Sequence, residues 1–159
     1  MKTPPEVQLL LRCLEEGYAR KAWHGPNLRG SIRGLSADEA AWRPGKNRHN
    51  IWETVVHCSY WKYAVWRRIT GEKRGSFPLE GSNWFLRPGE KTESAWRQDI
   101  KLLDDMHRLM IDAISRLKSS DLKKFPKGSK FDNRSTIFGI AAHDVYHAGQ
   151  IQLIKRMMP

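Results

Sequence analysis

Apolar residues recur at three- and four-residue steps in four separate stretches of this chain, and glycine- and proline-bearing segments divide those stretches. A helix turns about 100° per residue, so this spacing gathers the apolar side chains on one helical face. In the first stretch Val7, Leu10, Leu11, Leu14 and Tyr18 make the stripe, Pro4 and Pro5 suit a helix start, and His24-Gly25-Pro26 stops it. The second opens at Asn50, with Glu53 three residues on as in a capping box, and ends at Gly71. Trp96, Ile100, Leu103, Met110, Ile114 and Leu117 mark the third, and a fourth closes the chain. The pattern predicts helices over about 5–23, 50–70, 92–117 and 135–157. A linker over 27–48 should hold one short helical turn at 36–41, and residues 71–90, with four glycines and two prolines, read as a loop. No stretch alternates apolar and polar residues long enough for a sheet. The expectation is an all-α, four-helix bundle in a single domain spanning 1–159.

Charge narrows the function classes. Lys and Arg number 28 against 17 Asp and Glu, a net +11, but the positive residues are spread along the chain without a run of five. That favours a solvated surface with some affinity for anions over a dedicated nucleic-acid interface, and no helix-turn-helix, zinc-finger or RNA-recognition signature is present. A basic module with non-specific nucleic-acid affinity and a structural metal stands as the alternative. No segment approaches the ~20 apolar residues that would span a bilayer. The opening MKTPPEVQLLLRCLEE meets carboxylates too early for a secretory core, so the expected location is the cytoplasm. Cys13 and Cys58 lie in apolar helical patterns and read as small hydrophobes.

The sharpest chemical signal is His143-Asp-Val-Tyr-His147-Ala-Gly-Gln150. One turn apart, the two histidines share the face of the fourth helix that should look into the bundle. Buried imidazoles need partners, and a pair at this spacing can share a metal ion. The glutamate of a zinc-protease motif is absent, because Asp144 holds that place and projects to another side, toward a neighbouring helix or solvent. A catalytic ion typically takes a third protein ligand. His57 on the second helix and His107 on the third both qualify, and spacing does not choose between them; His24 and His49 sit at helix ends and read as caps or surface residues.

The segments HNIWETVVHCSYWKYAVWRRITGE (49–72) and HDVYHAGQIQLIKRM (143–157) resemble the DinB/YfiT-like family, and WHGPNLRG (23–30) adds to the likeness. The resemblance implies a four-helix bundle with a metal triad that falls here on His57, His143 and His147, leaving His107 a structural or supporting role. It also implies a metal-dependent hydrolase, or a transferase using a low-molecular-weight thiol of the bacillithiol or mycothiol kind, acting on a small molecule as a homodimer. Three nitrogen donors suit one divalent ion, with zinc or nickel favoured and iron or manganese as alternatives. Around the triad, Glu53 could act as a base or brace unless capping occupies it, and Gln150 and Tyr146 could orient ligands or a bound water. Trp84, beside Phe85 in the glycine-rich loop, could cover a site or pack on the bundle, while Trp61 and Trp96 belong in the core.

Overall fold

Short polar side chains start nearly every helix in this chain. Asn50 Oδ1 accepts the Glu53 amide at 2.7 Å while the Glu53 carboxylate returns to the Asn50 amide, a reciprocal cap that satisfies two otherwise orphaned donors. Ser36 and Glu39 repeat the device, and Asn27, Thr92 and Asp132 each cap with the side chain alone. In the computed structural model, which describes residues 3–159, these caps open α2 (Leu28–Ser31), α3 (Ala37–Ala41), α4 (Ile51–Thr70), α5 (Glu93–Ser115) and α6 (Asn133–Met157), after a proline-started α1 (Pro5–Tyr18). Gly71 ends α4 in the left-handed conformation, φ 78°. A 3-10 turn spans Ser119–Lys123, and no strand occurs among the described residues.

The expected four helices are present, with two corrections at the N-terminal end. α1 stops at Tyr18 rather than near residue 23, because the Ala19 and Arg20 amides both fold back to the Glu15 carbonyl. Asn27 Nδ2 then takes the Arg20 carbonyl at 2.9 Å and turns the chain into α2, four residues too few to carry a periodic signal. The turn expected at 36–41 is α3. Together α2 and α3 bury Leu28, Ile32, Ala37 and Ala40, so the linker is part of the core.

Helices α1, α5, α4 and α6 form a closed ring in which each packs on the next, with the α4–α5 contact the most extensive and α6 also covered by α2. Two apolar clusters fill it. One gathers Trp52, Val55, Trp96, Leu103 and Ile151 beneath α2, α3 and Phe85; the other gathers Val7, Leu14, Val65, Met110 and Ile137 at the far end. Each wholly buried large side chain contributes about 1.5–3 kcal/mol of transfer free energy. No helix is long and apolar enough to cross a membrane.

Between the clusters, every long helix sends polar side chains inward: Tyr18 from α1, His57 and Lys62 from α4, His107 from α5, and His143, Asp144 and His147 from α6. Of the two directions left open for Asp144, a neighbouring helix or solvent, the structure takes the helix. Asp144 is fully buried and forms an ion pair with Lys62, itself without solvent exposure. The cause is α6's position, enclosed by α4 on one side and by α1 and α2 on the other, so that the flank beside the histidine face is interior too. Lys62 Nζ lies 4.9 Å from the centre of the Tyr18 ring, and Tyr18 stacks on His107 at 3.7 Å. Burial, with Lys62 nearby, pushes the His107 imidazole down to about 2, so it is neutral. His107 is thus a packed member of this layer.

Candidate metal centre

The triad forms where α4 and α6 face each other. His57 sits on the second turn of α4, and His143 and His147 are one turn apart on α6, as the HxxxH spacing requires. Nε2 of His143 lies 3.1 Å from Nε2 of His57 and 3.1 Å from Nε2 of His147. His57 and His147 are almost wholly buried and His143 is half-buried.

The outer ring nitrogens decide where the protons sit. His57 Nδ1 faces the Asn83 carbonyl at 2.9 Å, and His147 Nδ1 faces Oε1 of Gln150 at 2.7 Å. Both partners only accept, so both Nδ1 atoms carry the proton and both Nε2 atoms present lone pairs. A proton on His143 Nε2 could serve only one of them. Burial first, and then the neighbouring imidazoles, hold His57 at about 4 and His143 at about 3; burial also lowers His147, against the Gln150 hydrogen bond. At neutral pH three uncharged imidazoles therefore bring their Nε2 atoms together, those of His57 and His147 with free lone pairs. Nitrogens about 2.0–2.1 Å from a tetrahedral ion stand roughly 3.3 Å apart, close to the 3.1 Å of the two pairs that include His143, and the three ligand atoms all lie within 4.8 Å of one another. The donor set fits a divalent metal ion.

A loop braces this end. Asn83 holds the left-handed conformation at φ 65°, which turns its carbonyl toward His57, and its side chain accepts from Trp61 Nε1 at 2.9 Å. Trp84 stacks on His57 at 3.9 Å, and His49 stacks on the other face of Trp84 at 3.7 Å. His49, expected as a cap or surface residue, is therefore the outer leaf of an aromatic stack on a triad histidine. Asn83 gave no signal in the sequence beyond its place beside Trp84. The loop itself is anchored by Phe85 in the core and by Arg87, whose Nε donates to Asp99 at 2.7 Å.

Glu53 is brought near but set apart. It caps α4, and its carboxylate accepts from Arg43 and contacts His49 Nδ1 at 3.0 Å. Burial raises its pKa, but Arg43, His49 and the Arg87 amide together hold it below the usual carboxylate range. Glu53 does not line the cavity beside the triad. Gln150 and Tyr146 do line it, and Gln150 Nε2 donates to the Tyr146 hydroxyl at 2.9 Å. This cavity, about 700 Å³, opens over His57, His143 and His147, with Trp84, Leu153, Ile154 and Met157 as its apolar wall and Arg48 and Thr54 among its polar groups. Trp96 is buried in the core as expected and Trp61 half-buried, whereas Trp23 is fully exposed.

Cys58, His143 and Asp144 also approach one another. Burial raises the Cys58 thiol well above its ordinary range and so keeps it protonated, and this second group lacks the thiolate a metal would need.

A family model described as the DinB superfamily matches residues 22–151. No curated protein and no solved structure matches the chain.

Proposed function

The chain belongs to the DinB superfamily, and from that premise we propose a metal-dependent enzyme acting on a small molecule, either a hydrolase or a transferase using a low-molecular-weight thiol. One divalent ion, zinc or nickel before iron or manganese, is assigned to His57, His143 and His147. The observation that carries this is the gathering of three imidazoles beside an open cavity, with Nε2 of His143 3.1 Å from those of both His57 and His147. Three neutral ligands leave such an ion its full double charge, which makes a bound water or thiol acidic enough to be a nucleophile near neutral pH.

The chain's own residues supply the rest. The Asn83 carbonyl and Gln150 fix the tautomers of His57 and His147. Tyr146, hydrogen-bonded to Gln150 and exposed to the cavity, is assigned to orienting the substrate's polar group or passing on a proton. Glu53 acts from further out, by holding His49 against Trp84. Trp84, Leu153 and Met157 would exclude water from an apolar substrate body. A structural metal is disfavoured, because such ions take four protein ligands and closed sites. The reading includes a cytoplasmic homodimer, for which the exposed Phe138, Tyr146 and Leu153 on α6 offer an uncharged face.

Metal analysis of protein prepared without an affinity tag tests this. Near-stoichiometric metal in the wild type, lost in His57→Ala, is expected. Wild type that takes up no zinc or nickel would remove the proposal.

A further inference from the structure

Two of the three triad histidines have an acceptor at Nδ1, and the third does not. His143 Nδ1 is buried without a hydrogen-bond partner among the described residues, and so is Oδ1 of Asp144. A ring nitrogen of His143 and a carboxylate oxygen of Asp144 lie within 4.8 Å of each other, together with the Cys58 thiol. Asp144 Oδ2 is held by Lys62, which leaves Oδ1 as the free lobe of a wholly buried carboxylate. An unpartnered ring nitrogen and an unpartnered carboxylate oxygen in the interior would each cost about 1–3 kcal/mol, and a single link between them removes both costs. A separation beyond direct hydrogen-bond range is what one bridging water spans.

We propose that Asp144, fixed by Lys62, is the positioning carboxylate of His143: it holds the His143 proton on Nδ1, directly or through one water, and so keeps Nε2 free for the metal. The inference rests on the metal reading for its consequence, but not for its geometry. Without Asp144 the better place for the His143 proton is Nε2, where it can be donated to His57 or His147 at 3.1 Å. That puts a proton where the ion belongs. Partners of this kind typically alter metal affinity 10–100-fold. The three histidines would then each have a distinct brace: a loop carbonyl, a side-chain amide on their own helix, and a charge pair spanning α4 and α6.

Removing Asp144 alone strands the Lys62 cation and invites unfolding, so the test uses the double variant Lys62→Met/Asp144→Leu, which replaces the pair by apolar side chains of similar size. Zinc affinity is measured by competition with a chromophoric chelator, beside Asn133→Ala as a control for a damaged interior contact away from the triad, since the buried Asn133 amide donates to the Asp121 carbonyl at 2.9 Å. In parallel, the imidazole nitrogen shifts of metal-free protein report the His143 tautomer. The expected result is a folded double variant with zinc bound about 10–100-fold more weakly, His143 moved from the Nδ1–H to the Nε2–H form, and Asn133→Ala near wild type in both. A folded double variant with unchanged tautomer, or with unchanged zinc affinity where the wild type binds zinc, overturns the proposal. Wild type that binds no zinc would remove the metal reading alone. The tautomer would then decide the Asp144–His143 link by itself.

Discussion

Helices α4 and α6 meet twice through polar side chains. At one meeting Lys62 faces Asp144, two opposite charges with no solvent exposure. At the other His57 faces His143 and His147, three uncharged rings with Nε2 of His143 3.1 Å from each of the other two. The first pairing matches its charges within the protein, with only Oδ1 of Asp144 left over. The second is incomplete, since lone pairs face one another and an open cavity lies above them. The two teach how one polar layer divides its work. Where charge is matched internally the layer joins helices, and where donors converge without a match it forms a receptor for something cationic.

The largest effect should come from breaking the matched pair. Asp144→Ala leaves the Lys62 ammonium buried and alone, and Lys62→Ala does the same to the carboxylate. Each is expected to cost about 3–5 kcal/mol in urea unfolding, whereas the apolar double replacement should stay close to wild type. Equal stability in all three would mean that the pair is hydrated and the contrast with the triad is false.

The unmatched half should respond to its ligand instead. Zinc at about one hundred times its dissociation constant should stabilise the wild type by about 2.7 kcal/mol and leave His57→Ala unmoved. Thermal unfolding with and without zinc measures this. Stabilisation that persists in His57→Ala would place the ion elsewhere.

The two halves also differ in how clearly the sequence announced them. The HxxxH pair, the Asn50–Glu53 cap and Gly71 are local patterns, and local patterns survive folding because helix geometry alone sets their spacing. His57 was one of two candidates from spacing, and resemblance to a family singled it out over His107. Asp144 was left open between a neighbouring helix and solvent because its neighbour His143 defined the inward face, and the rule that a helix has one buried face fails when helices enclose it on two sides. Lys62 looked like an ordinary helix residue, since nothing near it in sequence reveals a partner 82 positions away. Asn83 was hidden for a similar reason. Its role lies in a backbone carbonyl and a positive φ, neither of which has a residue pattern of its own.

A smaller effect should come from His107, which belongs to the matched half of the layer yet is neutral. Its pKa is about 2 in the fold against 6.5 ordinarily, so between those values the unfolded chain binds the extra proton. Its contribution to stability is full above about pH 6.5 and falls as pH is lowered toward 2. His107→Phe keeps a ring against Tyr18 and should flatten the loss by up to about 1.4 kcal/mol per pH unit in metal-free protein. Unfolding curves at pH 7 and pH 5 supply the slope, and an unchanged slope would mean that His107 is already hydrated in the fold.

The smallest effect is predicted at Asn83, and it sharpens the contrast from the triad's side. Its φ of 65° suits glycine, so Asn83→Gly keeps the backbone path and with it the carbonyl facing His57. Only the side-chain bond to Trp61 is lost, at an exposed position, for about 0.5–1 kcal/mol. Zinc affinity should then stay within about threefold of wild type, well below the 10–100-fold typical of lost support to a ligand. Asn83→Val, which cannot hold a positive φ without strain, should move the carbonyl and weaken zinc into that larger range. If Asn83→Gly loses as much as Asn83→Val, the bond from Trp61 is what aims His57, and the triad's bracing reaches one residue deeper into α4 than the carbonyl alone.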